Sequence, residues 1–166
     1  MANVKFANAA GKYQDDDARH DLIDYITQRK KTPNRIVSFN HGDISQAADQ
    51  MTQTARSFGK DQGVRIYHFI ITFAPGDING MEYIIYAANE ITRLIGQRHE
   101  IAYAVHENTQ IPHIHFVFNP VSYVDGYKYH GGKQEFKELM ETLRDVMRFI
   151  GVFTFYRVNN KSNGDE

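Results

Sequence analysis

Three histidines carry the chemistry that stands out in this chain. They lie in the run His106-Glu-Asn-Thr-Gln-Ile-Pro-His113-Ile-His115-Phe-Val-Phe-Asn119. Successive side chains of a strand point to opposite faces, so His113 and His115, two residues apart on an apolar and β-prone run, share one face. His106 closes the preceding apolar run (Ile101 to Val105), and a short polar loop follows it. If the two runs pair as a hairpin, His106 returns beside the other two and three imidazoles converge. Such a set suits a divalent cation that keeps positions open for substrate oxygens. Zn²⁺, Mn²⁺, Co²⁺ and Ni²⁺ all accept these donors, and the residues do not choose among them. Glu107, beside the first histidine, is expected either to orient that ring or to face solvent.

Such a metal could activate water, or act as a Lewis acid on a phosphate oxygen while a side chain attacks, and the second option directs attention to the tyrosines. Tyr25 falls within Leu22-Ile-Asp-Tyr-Ile-Thr-Gln-Arg-Lys-Lys-Thr32, and Arg29, Lys30 and Lys31 follow it, with Arg35 close behind. This is the densest basic cluster of the chain. It supplies a local positive surface that the formal net charge of −1 conceals. Tyr13 is an alternative attacking group. Lys128 and Lys133 are further candidates for phosphate contact.

These residues need elements to hold them. With 166 residues, 42% of them hydrophobic and 13% aromatic, the chain suits one globular domain over 1–158, with 159–166 a polar tail. The absence of cysteine removes thiolate ligands and disulfides from consideration. No run approaches the roughly 20 apolar residues of a membrane span, and the first residues do not read as a signal peptide. A cytoplasmic protein without membrane association is expected. Apolar spacing predicts a helix from the Asp15-Asp16-Asp17 run to about Lys30, a short strand over 35–39, and a helix over about 44–58. A strand over 64–73 follows, then a helix bearing Ile84, Ala88, Ile91 and Ile95, and strands over 100–106 and 113–119. A long helix bearing Phe136 to Ile150 precedes a last strand over 152–158. From residue 64 onward the order is β-α-β-β-α-β, so the fold expected is α+β, an antiparallel sheet of the ferredoxin-like type with additional N-terminal helices. The first and third strands of that unit should lie side by side at its centre, with both of its helices on one face. His68, on the first, then approaches the histidines with only a minor claim on the site. The first 15 residues give no clear pattern.

Together, the tyrosine-helix-basic segment, the strand His68-Phe-Ile-Ile-Thr-Phe-Ala-Pro, and His106-x6-His113-x-His115-x-Val-x-Asn119 resemble the relaxases of conjugative and mobilizable elements. These are the Mob- and VirD-like nucleases of the HUH endonuclease class. The stretch Val121-Ser-Tyr-Val-Asp-Gly-Tyr-Lys-Tyr129 resembles the family's continuation after its histidine motif, and the likeness covers roughly residues 21–134. It implies a transesterase that nicks one DNA strand at a transfer origin. Tyr25 would be the nucleophile, joined to a 5′ phosphate, with His20 the alternative because some mobilization relaxases use a histidine there. His106, His113 and His115 would be the metal ligands, with Mn²⁺ or Mg²⁺ the expected ion. Single-stranded DNA, and accessory relaxosome and secretion-coupling proteins, are the implied partners. Relatives commonly carry further regions downstream, so the chain is expected to be a fragment, a minimal relaxase or a degenerate remnant. Rolling-circle initiators and HUH transposases, by contrast, carry the tyrosine on a helix after the histidines, and the 133–150 segment has none. A cupin-type enzyme would want a Glu soon after His115, where Phe116 to Asn119 stand instead. A non-catalytic single-strand binder with a structural metal would usually show a fourth ligand.

Overall fold

The computed structural model describes residues 1–152 and 154–157. Its elements run β1 (Ala2–Phe6), α1 (Ala18–Ile26), β2 (Val37–Phe39), a 3₁₀ turn (Ile44–Gln46), α2 (Ala47–Ser57), β3 (Tyr67–Thr72), α3 (Met81–Ile95), β4 (Ile101–His106), β5 (His113–Phe118), α4 (Lys133–Phe149) and β6 (Thr154–Arg157). The six strands form one sheet in the order β2-β4-β5-β3-β1-β6. The α+β expectation holds: β3-α3-β4-β5-α4-β6 is the β-α-β-β-α-β unit, and β3 and β5 are central neighbours paired antiparallel.

Alternation along each strand sorts the sheet into two faces. Ile101, Tyr103 and Val105 of β4, Ile114, Phe116 and Phe118 of β5, and Phe69 and Ile71 of β3 belong to one core, shared with Ile84, Ala88 and Ile91 of α3 and Met140, Leu143 and Met147 of α4. The opposite face carries Ala102 and Ala104 of β4 and Val117 of β5, which pack with Leu22, Ile23 and Ile26 of α1 and Ala47, Ala48 and Met51 of α2. The small Ala102 and Ala104 let α1 settle close to the strand whose end is His106. Both helices of the repeating unit therefore cover one face, and the N-terminal helices cover the other.

The structure corrects three sequence expectations. The opening residues form a strand, β1, which pairs antiparallel with β3 and parallel with β6. It thereby separates the last strand from the central one, and nothing local in Ala2–Phe6 announces partners so distant along the chain. Helix α1 ends at Ile26 rather than near Lys30. Thr27 donates its hydroxyl to the Ile23 carbonyl at 2.7 Å, and Arg35 donates to the Thr27 carbonyl at 2.6 Å, so the chain turns off and the basic cluster sits on a loop. The helix expected over about 44–58 begins instead as a 3₁₀ turn, which Asp43 opens by accepting from the Ser45 amide at 2.8 Å, and α2 follows from Ala47. The tail 159–166, the final residue of the last predicted strand and the side chains beyond Val152 lie outside the described residues.

Candidate metal centre and nucleophile cleft

The hairpin forms in the register that the histidine spacing requires. His106 lies directly opposite His113 across β4 and β5, and His115 sits two residues further on the same face, opposite Ala104. Ring centroids are 5.2 Å apart for His106 and His113, 3.9 Å for His106 and His115, and 5.1 Å for His113 and His115. One ring nitrogen from each lies within 4.8 Å of the other two, the single such group of three ligands found among the described residues. Metal–nitrogen distances of about 2.1 Å imply nitrogen separations of roughly 3–3.5 Å, so a bound ion needs only modest closure.

Burial sets their protonation. Loss of hydration pushes His115 down to about 2 and His106 to about 4, and it lowers His113 as well; the neighbouring rings and Lys31 act in the same direction. All three rings are neutral at pH 7 and keep a lone pair to give. The chemistry of the set therefore fits a divalent cation: neutral imidazoles on rigid strands, with His113 half-exposed at the rim where further ligands can enter.

Two hydrogen bonds orient the buried rings. His106 Nε2 donates to the Ile26 carbonyl at 2.8 Å, which ties a candidate ligand to the last turn of α1. Nδ1 of His115 and Nε2 of His68 lie 2.8 Å apart, and Nδ1 of His68 lies 3.1 Å from the Tyr13 hydroxyl. His68 thus approaches the cluster as anticipated, yet its nitrogens serve His115 and Tyr13. Its position follows from register alone: Ile70 lies opposite His115, and His68 is the next residue on that face.

Tyr25 is one residue from the carbonyl that holds His106. Its ring lies 6.3 Å from His106 and 6.2 Å from His115, edge-on to both, and the residue is 43% exposed, so its hydroxyl remains accessible. Lys31 Nζ sits 3.5 Å from the Tyr25 ring centroid in a cation–π contact. Arg19, almost fully buried, locks the helix that carries Tyr25: it bonds Asp61 at 2.8 Å, the Arg65 carbonyl at 3.0 Å and Thr52 at 3.1 Å. A cleft of about 610 Å³ opens between this helix and the sheet, lined among others by Lys5, Lys12, Tyr13, Tyr25, His68 and His115. Lys5 and Lys12 escaped sequence reading because they stand alone in the first 15 residues.

The other candidates separate in space. His20 points outward and bonds Asp49 at 2.8 Å on the exposed surface. Arg29 and Lys30 are exposed on the loop after α1. Arg35 has turned inward to Thr27 and Thr32, with a left-handed φ of 51°. Lys128 donates to the Gln62 carbonyl beyond the Phe118 end of β5, away from His113. Glu107 accepts from Asn34 at 3.0 Å and leaves its other oxygen occluded without a hydrogen-bond partner, while its amide donates to the Lys31 carbonyl at 2.8 Å. It staples the basic loop to β4 instead of facing solvent. Asn119 is fully buried and bonds Glu100.

Known proteins resemble this chain in sequence and in fold. The family model described as "Relaxase: MobA/VirD2-like, nuclease domain" matches residues 25–151. Two curated relatives from Staphylococcus aureus, each named Protein rlx, are 28% identical over 93 residues and 27% identical over 139 residues. Those matches cover 56% and 81% of this chain but only 29% and 38% of the relatives, so the chain spans well under half of their length. Among solved structures, a Mn-bound MobM relaxase domain (MOBV; Mob_Pre) in complex with plasmid pMV158 oriT DNA superposes with a TM-score of 0.61. That match covers 100% of this chain and 94% of the other, at 16% identity, and it speaks to the fold.

Proposed function

The chain belongs to the MobA/VirD2-like relaxase nuclease family, and from that membership we propose that it nicks and rejoins one strand of DNA at a plasmid or conjugative-element transfer origin. The observation that carries the proposal is the exposed Tyr25 ring beside His106 and His115, over the three converging imidazoles. Tyr25 Oη attacks the scissile phosphorus, the bond from phosphorus to the 3′ oxygen breaks, and a 5′-phosphotyrosyl link forms. The phenolic proton goes to solvent and the departing 3′ oxygen takes one up. Because the phosphodiester is exchanged rather than hydrolysed, the same 3′ hydroxyl can attack the link and restore the strand. His106, His113 and His115 would hold Mn²⁺ or Mg²⁺, which when bound supplies Lewis-acid stabilisation of charge on the phosphate oxygens. The MobM domain, crystallised with Mn and oriT DNA, supports that choice of ion and partner.

The protein's own residues do the positioning. The bond from His106 to the Ile26 carbonyl couples ligand to nucleophile, so the two move as one unit. Lys31 holds the Tyr25 ring from one side and, with Arg29, Lys30, Lys5 and Lys12, lends positive charge to the backbone of single-stranded DNA in the cleft. Arg35 and Lys128 are left out of this set, since Arg35 turns inward to the Thr27 carbonyl and Lys128 bonds the Gln62 carbonyl at the far end of β5. No helix among the described residues is long and apolar enough to cross a membrane.

Incubation with single-stranded oligonucleotides carrying candidate transfer-origin sequences and Mn²⁺ tests the reading. Wild type should yield a protein–DNA adduct that survives SDS, and Tyr25→Phe should yield none. His113→Ala should lose bound metal and nicking together. An adduct that persists in Tyr25→Phe and vanishes in Tyr13→Phe would transfer the nucleophile's role to Tyr13, and metal content unchanged in His113→Ala would remove the three-histidine site.

A further inference from the structure

We propose that His68, with Tyr13 behind it, is a positioning residue that sets the tautomer in which His115 can bind metal. The inference rests on the metal reading above and extends it to two residues outside the ligand set. A histidine that gives its Nε2 lone pair to a cation must carry its proton on Nδ1, and that N–H needs an acceptor. His115 Nδ1 meets one partner, Nε2 of His68, at 2.8 Å. His68 can accept there only if its own proton lies on Nδ1, and that nitrogen meets the Tyr13 hydroxyl oxygen at 3.1 Å. The chain therefore runs in one direction when metal is held: His115 donates to His68, His68 donates to Tyr13, and Tyr13 keeps its own O–H free for the cleft. Run in reverse, the chain would leave the proton on His115 Nε2 and block ligation.

The surroundings are built for this task. His68 is 3% exposed, and among the described residues no carboxylate is bonded to its ring. Its backbone amide donates to Asn8 Oδ1 at 2.8 Å and its carbonyl accepts from the Ala7 amide at 2.9 Å, so its place on β3 is fixed by more than the ladder. Tyr13 adopts a left-handed φ of 60°, unfavourable for a residue with a side chain, and its carbonyl accepts from the Arg65 amide at 2.8 Å. That backbone holds the hydroxyl on His68. Tyr13, His68 and His115 all line the cleft that Tyr25 enters, so metal loading leaves a hydroxyl donor in the space where the DNA phosphate must lie.

The test compares wild type, His68→Leu, His68→Gln and Tyr13→Phe by Mn²⁺ titration followed by EPR. The same proteins are loaded with Co²⁺, and the hyperfine-shifted ring N–H protons are followed by NMR. His68→Leu should weaken Mn²⁺ binding by roughly 10- to 100-fold and lose the slowly exchanging His115 Nδ1–H signal. Glutamine places a carbonyl oxygen near the lost Nε2, so His68→Gln should recover most of the affinity and the signal. Tyr13→Phe should weaken metal binding only several-fold while lowering oligonucleotide affinity in the metal-loaded protein alone. Equal Mn²⁺ affinity in wild type and a folded His68→Leu overturns the inference and leaves the metal site standing; should that variant not fold, unchanged metal and DNA binding in Tyr13→Phe overturns it instead. Wild type that binds no Mn²⁺ overturns the metal reading and this inference with it.

Discussion

Asn119 ends the histidine motif, and its contacts make it a structural residue whose loss is measured in stability. Its side chain is fully buried, as is Glu100 beside it. Asn119 Nδ2 donates to Glu100 Oε2 at 2.8 Å and to the Met51 carbonyl at 3.1 Å, and its Oδ1 accepts from the Val121 amide at 3.2 Å. Thr54 and Gln50 of α2 donate to the other Glu100 oxygen at 2.7 and 3.2 Å. Asn119→Leu keeps the γ-branched shape while removing all three bonds. A hydrogen bond to a carboxylate contributes about 1.5–3 kcal/mol and an ordinary one about 1 kcal/mol, and the acceptors left behind are buried. The expected loss is about 3–5 kcal/mol. At roughly 2–4 °C per kcal/mol for a domain of this size, Tm should fall by about 6–20 °C. Melting followed by circular dichroism in EDTA isolates the effect from metal linkage. The residue lies beyond the Phe118 end of β5, so Mn²⁺ affinity and nicking at 20 °C should match wild type. A Tm loss below about 3 °C, or a parallel loss of metal in a folded variant, would refute this account of Asn119.

Lys31 and Lys128 should behave oppositely. Lys31→Met removes the cation over Tyr25 and should lower oligonucleotide affinity several-fold, reducing the slope of log Kd against log salt by about 1. Lys128→Met removes the bond to Gln62 and should lower Tm while leaving that slope unchanged. pH dependence follows from the buried rings. Three ordinary histidines near 6.5 would cost roughly 1,000-fold in Mn²⁺ affinity between pH 7.5 and 5.5, because each becomes about tenfold less available. With His106 held at about 4, His115 at about 2 and His113 also lowered, the loss should stay within about tenfold, and a drop near 1,000-fold in a calorimetric titration would contradict the burial argument. For the metal-free fold the sign is fixed by the same shifts. The unfolded chain binds more protons below 6.5, so stability is complete above that pH and declines as pH falls through about 4. Urea midpoints in EDTA between pH 7 and pH 4 measure it, and a midpoint that rises on acidification would reverse the assignment.

The sequence exposed the hairpin because its information is local. Period-two spacing of His113 and His115, apolar runs on both sides and a polar loop of six residues leave one register in which three rings share a face. Ala102 and Ala104 carry the same parity and mark the side where a helix packs closely. What stayed hidden depends on pairing across long separations. β1 is a five-residue strand whose partners lie about 65 and 150 residues away. The place of His68 beside His115 needs the β3–β5 register, and Tyr13 needs a turn held open in the left-handed region. The basic residues show a further limit. Charge density pointed to one patch, but Arg35 turns to the Thr27 carbonyl and the Thr32 hydroxyl and Lys128 bonds a carbonyl at the far end of β5, and only the folded chain separates those from Lys31.

The two halves of the site are mechanically one because they share a core. α1 carries Leu22, Ile23 and Ile26 into the same apolar layer that β4 and β5 enter with Ala102, Ala104 and Val117, and His106 and His115 continue those strands past its edge. Fixing α1 on the sheet therefore fixes Tyr25 over the imidazoles without any direct bond between them. Arg19 pins the helix near its start through Asp61, and the Ile26 carbonyl pins its end through His106. Only the loop beyond, with Lys31 stapled by Glu107, reaches the basic rim. On the proposed reading the nucleophile stays exposed to meet DNA, while burial keeps His106 and His115 neutral well below the ordinary histidine range. Placing both at the border of one core, with the helix on the wet side and the strands on the dry side, satisfies the two demands within a few ångströms.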